Sequence, residues 1–196
     1  MSKQQTDARE RILQASLKMF AEKGFEGTTV RDICEEAKAN VSLVSYYFGG
    51  KEKVLYALFE TYFGFQLEEK EPEENEEDPV KRLSKLIRNI ISFRMENQQL
   101  IHILRQETFF ETARSERLRK IVLPTWEELK ETLIIGREQG VFHFRSIDRA
   151  MMLVMSCIMM MDVRRIAQPL MEGEQQVAEE IIEDTIQFIR AGLCNP

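Results

Sequence analysis

A chain of 196 residues with nine glycines, five prolines and 31% charged residues has the size and composition of a compact protein of one or two domains. Its formal net charge of −6 excludes a strongly basic architectural DNA-binding protein. The three cysteines, Cys34, Cys157 and Cys194, are widely spaced and odd in number, which favours reduced thiols in the cytoplasm over disulfides. We expect Cys34 in the core, with redox sensing by Cys157 or Cys194 as an alternative.

The first predicted helix runs from about residue 7 to residue 23. Its apolar and small residues recur with the spacing of one helix face: Ile12, Ala15, Ser16, Met19 and Phe20. Gly24 follows, and glycine commonly ends a helix because it accepts a left-handed backbone. We therefore expect an amphipathic helix that turns one face to the core and ends at Gly24.

Two short helices follow, joined by a tight turn. Thr28 and Thr29 are suited to begin the first, because a hydroxyl oxygen accepts from free N–H groups of the first turn. An apolar stripe follows at helical spacing: Val30, Ile33, Cys34 and Ala37. Asn40 is expected to cap the second helix, and Val44 and Phe48, four residues apart, are expected to anchor it to the core.

The second short helix leaves a set of side chains without a role in the core: Val41, Ser42, Leu43, Ser45, Tyr46 and Tyr47. Two adjacent tyrosines at a surface are unusual unless a partner uses them. Two short helices fixed at a steep angle bring the second into the major groove of DNA. Residues 28–52 therefore predict a helix-turn-helix that reads double-stranded DNA.

The order and spacing of these residues resemble the N-terminal domain of the TetR family of bacterial transcriptional regulators. The matching residues are Ile12-Leu13-x-Ala15, Met19-Phe20-x-x-x-Gly24-Phe25, Thr28-Thr29-Val30-x-x-Ile33, Ala37, Tyr46-Tyr47-Phe48 and Lys51-Glu52. The resemblance implies an all-α dimer with a three-helix DNA-binding domain and a larger helical domain that binds a ligand and dimerises. We expect the DNA-binding domain in residues 1–53 and the second domain in residues 54–196.

Two positions depart from the family's pattern. Lys38 stands in the turn where the family usually has glycine. A lysine in a left-handed backbone there costs roughly 1–2 kcal/mol, so either the turn differs or the strain is tolerated. Ser45 stands where the family often has tyrosine, which leaves one phosphate contact missing or moved.

We expect the N-terminal end of the second short helix to meet base edges through Val41, Ser42 and Leu43. The resemblance gives Arg31 a position that reaches a guanine edge. The expected phosphate contacts come from Thr29, Tyr46, Tyr47 and Lys51. The alternative is that the two tyrosines pack against the next helix and that Arg31 pairs with a nearby acid.

The charge distribution is compatible with DNA binding. Residues 1–53 carry nine basic and eight acidic side chains, whereas residues 68–80 carry eight acidic side chains and one basic. The acidic segment, with prolines at 72 and 79, is expected to be a solvated connection, and a metal site there is the alternative. We therefore expect the part that faces DNA to be close to neutral, with a modest dependence of affinity on salt.

Further helices are predicted from residue 51 to about 67, from Pro79 onward, over 98–110 and over 117–138, where Pro124 bends the last helix or marks its start.

The last two predicted helices cover about 147–168 and 174–193, the first of them capped by Ser146. The first is apolar on every face over residues 151–161, so every face must be covered. We expect one side to meet the core and the other to meet a second copy of the chain, with a monomeric core as the alternative. The apolar run is shorter than the ~20 residues that a bilayer requires, and the N-terminus is polar. A cytoplasmic protein without a membrane partner is expected.

A pocket for a small effector is a further hypothesis, since methionine adapts its shape to irregular apolar ligands. The candidate lining residues are Phe93, His102, Arg105, Phe109, Phe110, Trp126, Met152 and Met155. The alternative is that the aromatic residues and methionines are ordinary core and that His102 is a hydrogen-bonded helix residue.

The sequence thus predicts a homodimeric transcriptional regulator, usually a repressor, that binds a palindromic operator and is released by a small, largely apolar ligand. An alternative is a DNA-binding protein without a small-molecule effector, which acts through a protein partner. An enzyme is disfavoured because His102 and His143 lack a nucleophile or metal ligand nearby and no phosphate-binding loop is present. We expect no cofactor and no metal.

Overall fold

The computed structural model describes residues 3–68, 78–159 and 178–195, and all regular secondary structure in these ranges is helical. The all-α class predicted from the sequence is confirmed for these residues. The helices are α1 (Lys3–Gly27), α2 (Val30–Ala37), α3 (Val41–Tyr47), α4 (Lys51–Glu68), α5 (Pro79–Glu96), α6 (Gln98–Phe109), α7 (Ser115–Glu138), α8 (Ile147–Ile158) and α9 (Ala178–Cys194).

Helix α1 changes direction at the glycine that the sequence marked as its end. Gly24 has φ 71° and ψ 169°, which is not helical, and one further turn follows the kink up to Gly27. The backbone before Gly24 and the short turn after it therefore run in different directions. This kink brings Phe25 and Thr28 into contact with other parts of the same unit.

The described residues fall into two compact units. The first comprises residues 3–68 and 97–123, and the second comprises residues 78–96, 124–159 and 178–195. Compactness thus groups α4 and α6 with the three N-terminal helices. The functional division into 1–53 and 54–196 stays a prediction.

The core of the first unit is formed where α1 contacts α2, α4 and α6. The helix faces predicted from the apolar spacing supply it, and the largest fully buried side chains include Phe20, Phe59, Ile12, Ile33 and Leu55. Cys34 is buried among them, as the sequence predicted. Burial raises the pKa of its thiol, so this cysteine is held in the neutral form.

The core of the second unit joins α5, α7, α8 and α9. It contains Leu83, Ile87, Leu129, Leu133, Phe142, Val154, Ile182 and Ile189. At the solvent edge Arg88 of α5 pairs with two carboxylates of α9, those of Glu179 and Glu183. Because these side chains are exposed, the pairing adds only a little to the association of the two helices, which rests on the apolar core.

The corner between α7 and α8 is closed by a buried aromatic ring. Phe142 is fully buried and packs on Gly136, while Gly140, with φ 70°, makes the turn between them. The N–H of His143 donates to the carbonyl oxygen of Leu193 in α9 at 2.7 Å. Pro124 lies inside α7 and does not begin it, because the helix starts at Ser115.

Helix α8 ends earlier than the sequence predicted. It is capped by Ser146, as expected, but it ends at Ile158, where Met159 has φ −85° and ψ 1°. The prediction of a continuous helix to residue 168 is therefore wrong. The sequence did not indicate this end, because the run of methionines contains no glycine or proline. Residues 160–177 lie outside the described residues, and so does the predicted start of the last helix at 174.

Residues 69–77 of the acidic segment also lie outside the described ranges. Within those ranges, no group of three or more histidine, cysteine, aspartate or glutamate side chains is arranged to hold a metal ion. None of the helices described is both long enough and apolar enough to span a membrane.

Candidate nucleic-acid interface

Helix α2 begins with a reciprocal capping box between Thr29 and Asp32. The Thr29 hydroxyl oxygen accepts from the Asp32 N–H at 3.1 Å, and the Asp32 carboxylate accepts from the Thr29 N–H at 2.8 Å. Lys23 of α1 donates to the same carboxylate at 2.6 Å. The bond from Lys23 and those from Thr29 hold the pKa of Asp32 well below its usual range. The start of α2 is thus fixed to α1 by charge-assisted hydrogen bonds.

Of the two threonines expected to begin α2, only Thr29 caps the helix. Thr28 is buried, and its hydroxyl donates to the carbonyl oxygens of Met19 at 3.0 Å and Gly24 at 2.7 Å. Thr28 therefore holds the kinked end of α1 in place, and Thr29 satisfies the free N–H groups of α2.

The turn between α2 and α3 is left-handed at Lys38, with φ 50° and ψ 46°. The N–H of Lys38 donates to the carbonyl oxygen of Glu35 at 3.2 Å, and that of Ala39 donates to Cys34 at 2.9 Å. These bonds close the end of α2 in the way that glycine usually allows. Of the two alternatives from the sequence, the tolerated strain is the one observed.

Helix α3 is short, capped and anchored at two points. The Asn40 side chain accepts from the Ser42 N–H and from its hydroxyl, both at 3.0 Å. Val44 and Phe48 are buried, as predicted from their spacing. Because this spacing turns one side of the helix to the core, the opposite side faces outward.

The outward side of α3 carries most of the residues predicted to contact DNA. The exposed side chains are Val41, Ser42, Ser45 and Tyr46, whereas Leu43 and Tyr47 are half-buried. Tyr46 is 73% exposed, so packing against α4 does not account for it. The ring of Tyr47 lies edge-on to that of Tyr46, with centroids 5.1 Å apart, and steadies it.

Arg31 projects from the first turn of α2 and is exposed. Among the residues that the structure describes, none makes a hydrogen bond or an ion pair with it. The alternative that Arg31 pairs with a nearby acid is therefore not observed in the described part of the chain.

Lys51, predicted to contact a phosphate, lies at the start of α4 and is half-buried. Its ammonium group donates to the carbonyl oxygens of Phe25 and Thr28, each at 2.8 Å, and lies 4.2 Å from the centre of the Phe25 ring. Two of its three N–H donors are thus used within the protein. Lys51 fastens the segment between α1 and α2 to α4, a role that the sequence did not predict.

The predicted effector residues fall into both units. His102, Arg105, Phe109 and Phe110 belong to the first unit, and Phe93, Trp126, Met152 and Met155 belong to the second. Within α6 the His102 ring contacts the side chains of Gln106 at 3.1 Å and Arg105 at 3.3 Å. Phe109, Phe110 and Met152 are exposed large apolar side chains. The effector pocket stays a prediction.

Sequence reasoning missed a buried ion pair at the corner between α6 and α7. Glu107 is 5% exposed and accepts from Arg114 at 2.8 Å. A buried glutamate requires a cationic partner, but the sequence does not show that Glu107 is buried. It does not show which cation supplies the partner, because that depends on the corner's geometry.

Comparison with known proteins bears on what this arrangement does. The family model described as bacterial regulatory proteins, tetR family, matches residues 12–58. The crystal structure of HlyIIR, a hemolysin II transcriptional regulator, is similar to this chain with a TM-score of 0.73 and 27% identity, over 98% of this chain and 99% of that chain. A variant of HlyIIR in which one segment is replaced by a linker is 30% identical, over 100% of this chain and 98% of that chain, also with a TM-score of 0.73.

The chain belongs to the TetR family of bacterial regulatory proteins. Its curated relatives include the HTH-type transcriptional repressor NicS of Pseudomonas putida, which is 29% identical over 144 residues, or 71% of this chain and 68% of NicS. The probable HTH-type transcriptional regulator YttP of Bacillus subtilis is 30% identical over 102 residues, or 50% and 49%. This TetR-family protein is therefore a DNA-binding transcriptional regulator and not an enzyme.

Proposed function

We propose that this TetR-family regulator is a repressor that binds a palindromic operator as a homodimer. The observation that carries the proposal is the outward side of α3, where a capped helix anchored by Val44 and Phe48 exposes one continuous face. Each subunit of a dimer places one such helix in a major groove, and the half-sites lie about 10 base pairs apart or a multiple of this. The repressor NicS supports the direction of regulation.

Sequence discrimination falls to the first turn of α3 and to Arg31. Val41 offers an apolar contact for a thymine methyl group. The Ser42 O–H already donates to the Asn40 side chain, so the Ser42 oxygen can accept from a base. Half-buried Leu43 presents only part of its side chain. Arg31 is exposed and has a planar group suited to two hydrogen bonds with guanine.

Phosphate contacts that fix the register fall to the far end of α3 and the start of α4. Tyr46 presents its hydroxyl to solvent, and Ser45 is exposed beside it. Tyr47 supports Tyr46 and offers its own hydroxyl. The third N–H of Lys51 lies near the N-terminus of α4, where the helix dipole favours a phosphate. The Thr29 hydroxyl and N–H both donate to the Asp32 carboxylate, so a phosphate contact from Thr29 requires its hydroxyl to turn away from Asp32.

Dimerisation through the last two helices is supported by exposed apolar side chains on α8 and α9. Met152 and Leu153 are each 69% exposed, and Phe188 is also exposed. Large apolar groups collected on two helices of one unit are typical of a surface that another protein covers. A second copy of the chain is the occupant that the family's dimers support.

The dimer would have one form that fits DNA and one that does not. A small, largely apolar effector would release the operator because it binds the second form more tightly. The second candidate is a regulator without such an effector, which acts through a protein partner. It is favoured by one observation, the exposed rings of Phe109 and Phe110, which meet edge-to-face with centroids 5.3 Å apart.

Selection of bound duplexes from random DNA by the purified full-length protein tests DNA reading directly. We expect enriched sequences with two related half-sites. Tyr46→Ala should then weaken binding to all sequences alike without changing the salt dependence, because an uncharged hydroxyl releases no counterion from DNA. Ser42→Ala, in contrast, should change which bases are enriched. Phe110→Ala, which removes an exposed ring elsewhere in the same unit, is the matched control. If no duplex is retained at low salt, the proposal is wrong.

Light scattering tests the dimer. Leu153→Glu places a charge on the exposed part of α8 and is expected to give monomers with an unchanged helix content. Leu123→Glu changes another exposed leucine, in the first unit, and should leave the dimer intact. A Leu153→Glu protein that remains dimeric would show that the subunits meet elsewhere.

A further inference from the structure

The corner between α6 and α7 holds an ion pair that is almost completely removed from solvent. Glu107 is 5% exposed and Arg114 is 9% exposed. The Nε of Arg114 donates to Oε2 of Glu107 at 2.8 Å, and the Thr112 hydroxyl donates to the same oxygen at 2.6 Å. Ser115 donates to the Glu107 carbonyl oxygen at 2.5 Å. The glutamate is therefore well satisfied and holds the guanidinium group in one place.

The same guanidinium group reaches the kinked end of α1. Its Nη2 donates to Oε1 of Glu26 at 2.9 Å, and its central carbon lies 3.8 Å from the centre of the Phe25 ring. Glu26 is largely exposed, so its ion pair contributes little. The ring contact is the stronger link, because a cation shielded from water is attracted more strongly to an aromatic face.

Phe25 also holds a second cation. The ammonium group of Lys51 lies 4.2 Å from the centre of the same ring and donates to the backbone carbonyls of Phe25 and Thr28. Thr28 directly precedes Thr29, the cap of α2. A continuous set of contacts thus runs from Glu107 through Arg114, Phe25 and Lys51 to the start of α2.

We infer that Arg114 is a positioning residue for DNA binding, which acts through Phe25 and Lys51 on the start of the helix-turn-helix. This inference rests on the proposed DNA contacts of α3. Arg114 touches no DNA in this account. It holds the Phe25 ring, and Lys51 packs on the same ring. Lys51 in turn fastens the residues that join α1 to α2, and their position determines where α2 begins and therefore where α3 lies.

A purely structural ion pair would lower the stability and the DNA affinity together. If Arg114 has a positioning role, a variant should lose DNA affinity without losing stability, provided that no buried charge is left without a partner. The double variant Glu107→Gln/Arg114→Met meets this condition, since it removes both charges and keeps an amide that accepts from Thr112. Arg114→Lys is the second variant. It keeps the charge beside Glu107, but its single nitrogen cannot stay bonded to Glu107 and also lie over the Phe25 ring, as the forked, planar guanidinium group does.

Arg117 offers a matched control in the same helix. It lies 4.2 Å from the centre of the Tyr56 ring and pairs with Glu60 at 3.1 Å. It therefore makes the same two kinds of contact as Arg114, but with α4 and not with the α1–α2 segment. Arg117→Met should leave DNA affinity as it is in the unchanged protein.

The experiment measures the affinity of full-length protein for the duplex enriched from random DNA, together with the melting temperature. If the unchanged protein binds no duplex, the proposed function fails. If it binds, we expect the double variant and Arg114→Lys to bind roughly 3- to 30-fold more weakly, with melting temperatures close to that of Arg117→Met. Wild-type affinity in Arg114→Lys and the double variant, or an equal loss in Arg117→Met, overturns the inference.

A thermodynamic cycle with Lys51→Met separates positioning from an independent effect. Because Arg114 acts through Lys51, the loss from combining Lys51→Met with Arg114→Lys should be smaller than the product of the two separate fold losses. Losses that multiply would show that the two cations act independently, and would overturn the inference.

Discussion

A Cβ atom on Gly136 would lie 2.0 Å from Cδ2 of Phe142, far inside the distance at which two carbon atoms can meet. The Phe142 ring lies directly against the Gly136 backbone and is fully buried at the corner between α7 and α8. The absence of a side chain at Gly136 is therefore a packing requirement of the second unit.

Gly136→Ala is expected to destabilise the protein by about 1–3 kcal/mol, since either the ring or the helix must move. Gly192→Ala in α9 is the matched control, because within the described part of the chain no atom outside the adjoining backbone of α9 lies within 4 Å of the new methyl group. It should raise the stability by roughly 0.5–1 kcal/mol through helix propensity. Denaturant unfolding measures both, and equal effects at the two sites would contradict the packing account.

Lys38→Gly should stabilise the protein by roughly 1 kcal/mol, because glycine adopts the left-handed backbone of the turn without strain. Lys38→Ala retains the strain and should give no such gain. Chemical unfolding distinguishes the two variants. A gain of the same size from both would mean that removing the lysine side chain, and not relieving the backbone, is what matters.

Thr29→Ala removes one half of the capping box of α2 and is expected to cost about 1 kcal/mol. Thr61→Ala removes an exposed hydroxyl that donates to the Ala57 carbonyl within α4, and should change the stability by less than about 0.5 kcal/mol. Thermal unfolding provides the comparison. If Thr61→Ala costs as much as Thr29→Ala, the cap is not the source of the loss.

Tyr56 is expected to make the stability depend on pH in the alkaline range. Burial and the hydrogen bond that its hydroxyl donates to Glu52 at 2.7 Å raise the pKa of Tyr56 to about 12. In the unfolded chain the phenol ionises at about pH 10. The folded state prefers the protonated form, so its stabilisation is complete below pH 10 and is lost as the pH rises toward 12.

Urea unfolding of the unchanged protein and of Tyr56→Phe at a series of pH values measures this effect. The advantage of the unchanged protein should shrink between about pH 10 and pH 12. A difference that stays constant over this range would contradict the raised pKa.

Local patterns in the sequence were sufficient for the helix-turn-helix. Asn40 and Thr29 cap their helices as predicted, and Val44 and Phe48 anchor α3, because capping and helical spacing depend on residues only a few positions apart. The position of Lys38 in the turn was identified from the family resemblance, and its left-handed conformation had to be observed.

Contacts that depend on tertiary geometry could not be predicted. Lys51 bonds to backbone carbonyls, which leave no mark in a pattern of side chains. The partner of Glu107 lies beyond a helix end, and the spacing within one helix says nothing about it. The early end of α8 at Ile158 was missed because its sequence favours a longer helix.

Helix α3 has only seven residues, Val41–Tyr47, whereas isolated helices shorter than ~12–15 residues are marginal in water. A synthetic peptide copying this segment would consequently be a largely unfolded chain without recognition of its own. To transfer the DNA specificity to another regulator, single outward-facing residues must be grafted onto a helix that its own protein already holds in place. The surrounding helices determine the fold of this segment, and the segment itself contributes only the side chains that contact DNA.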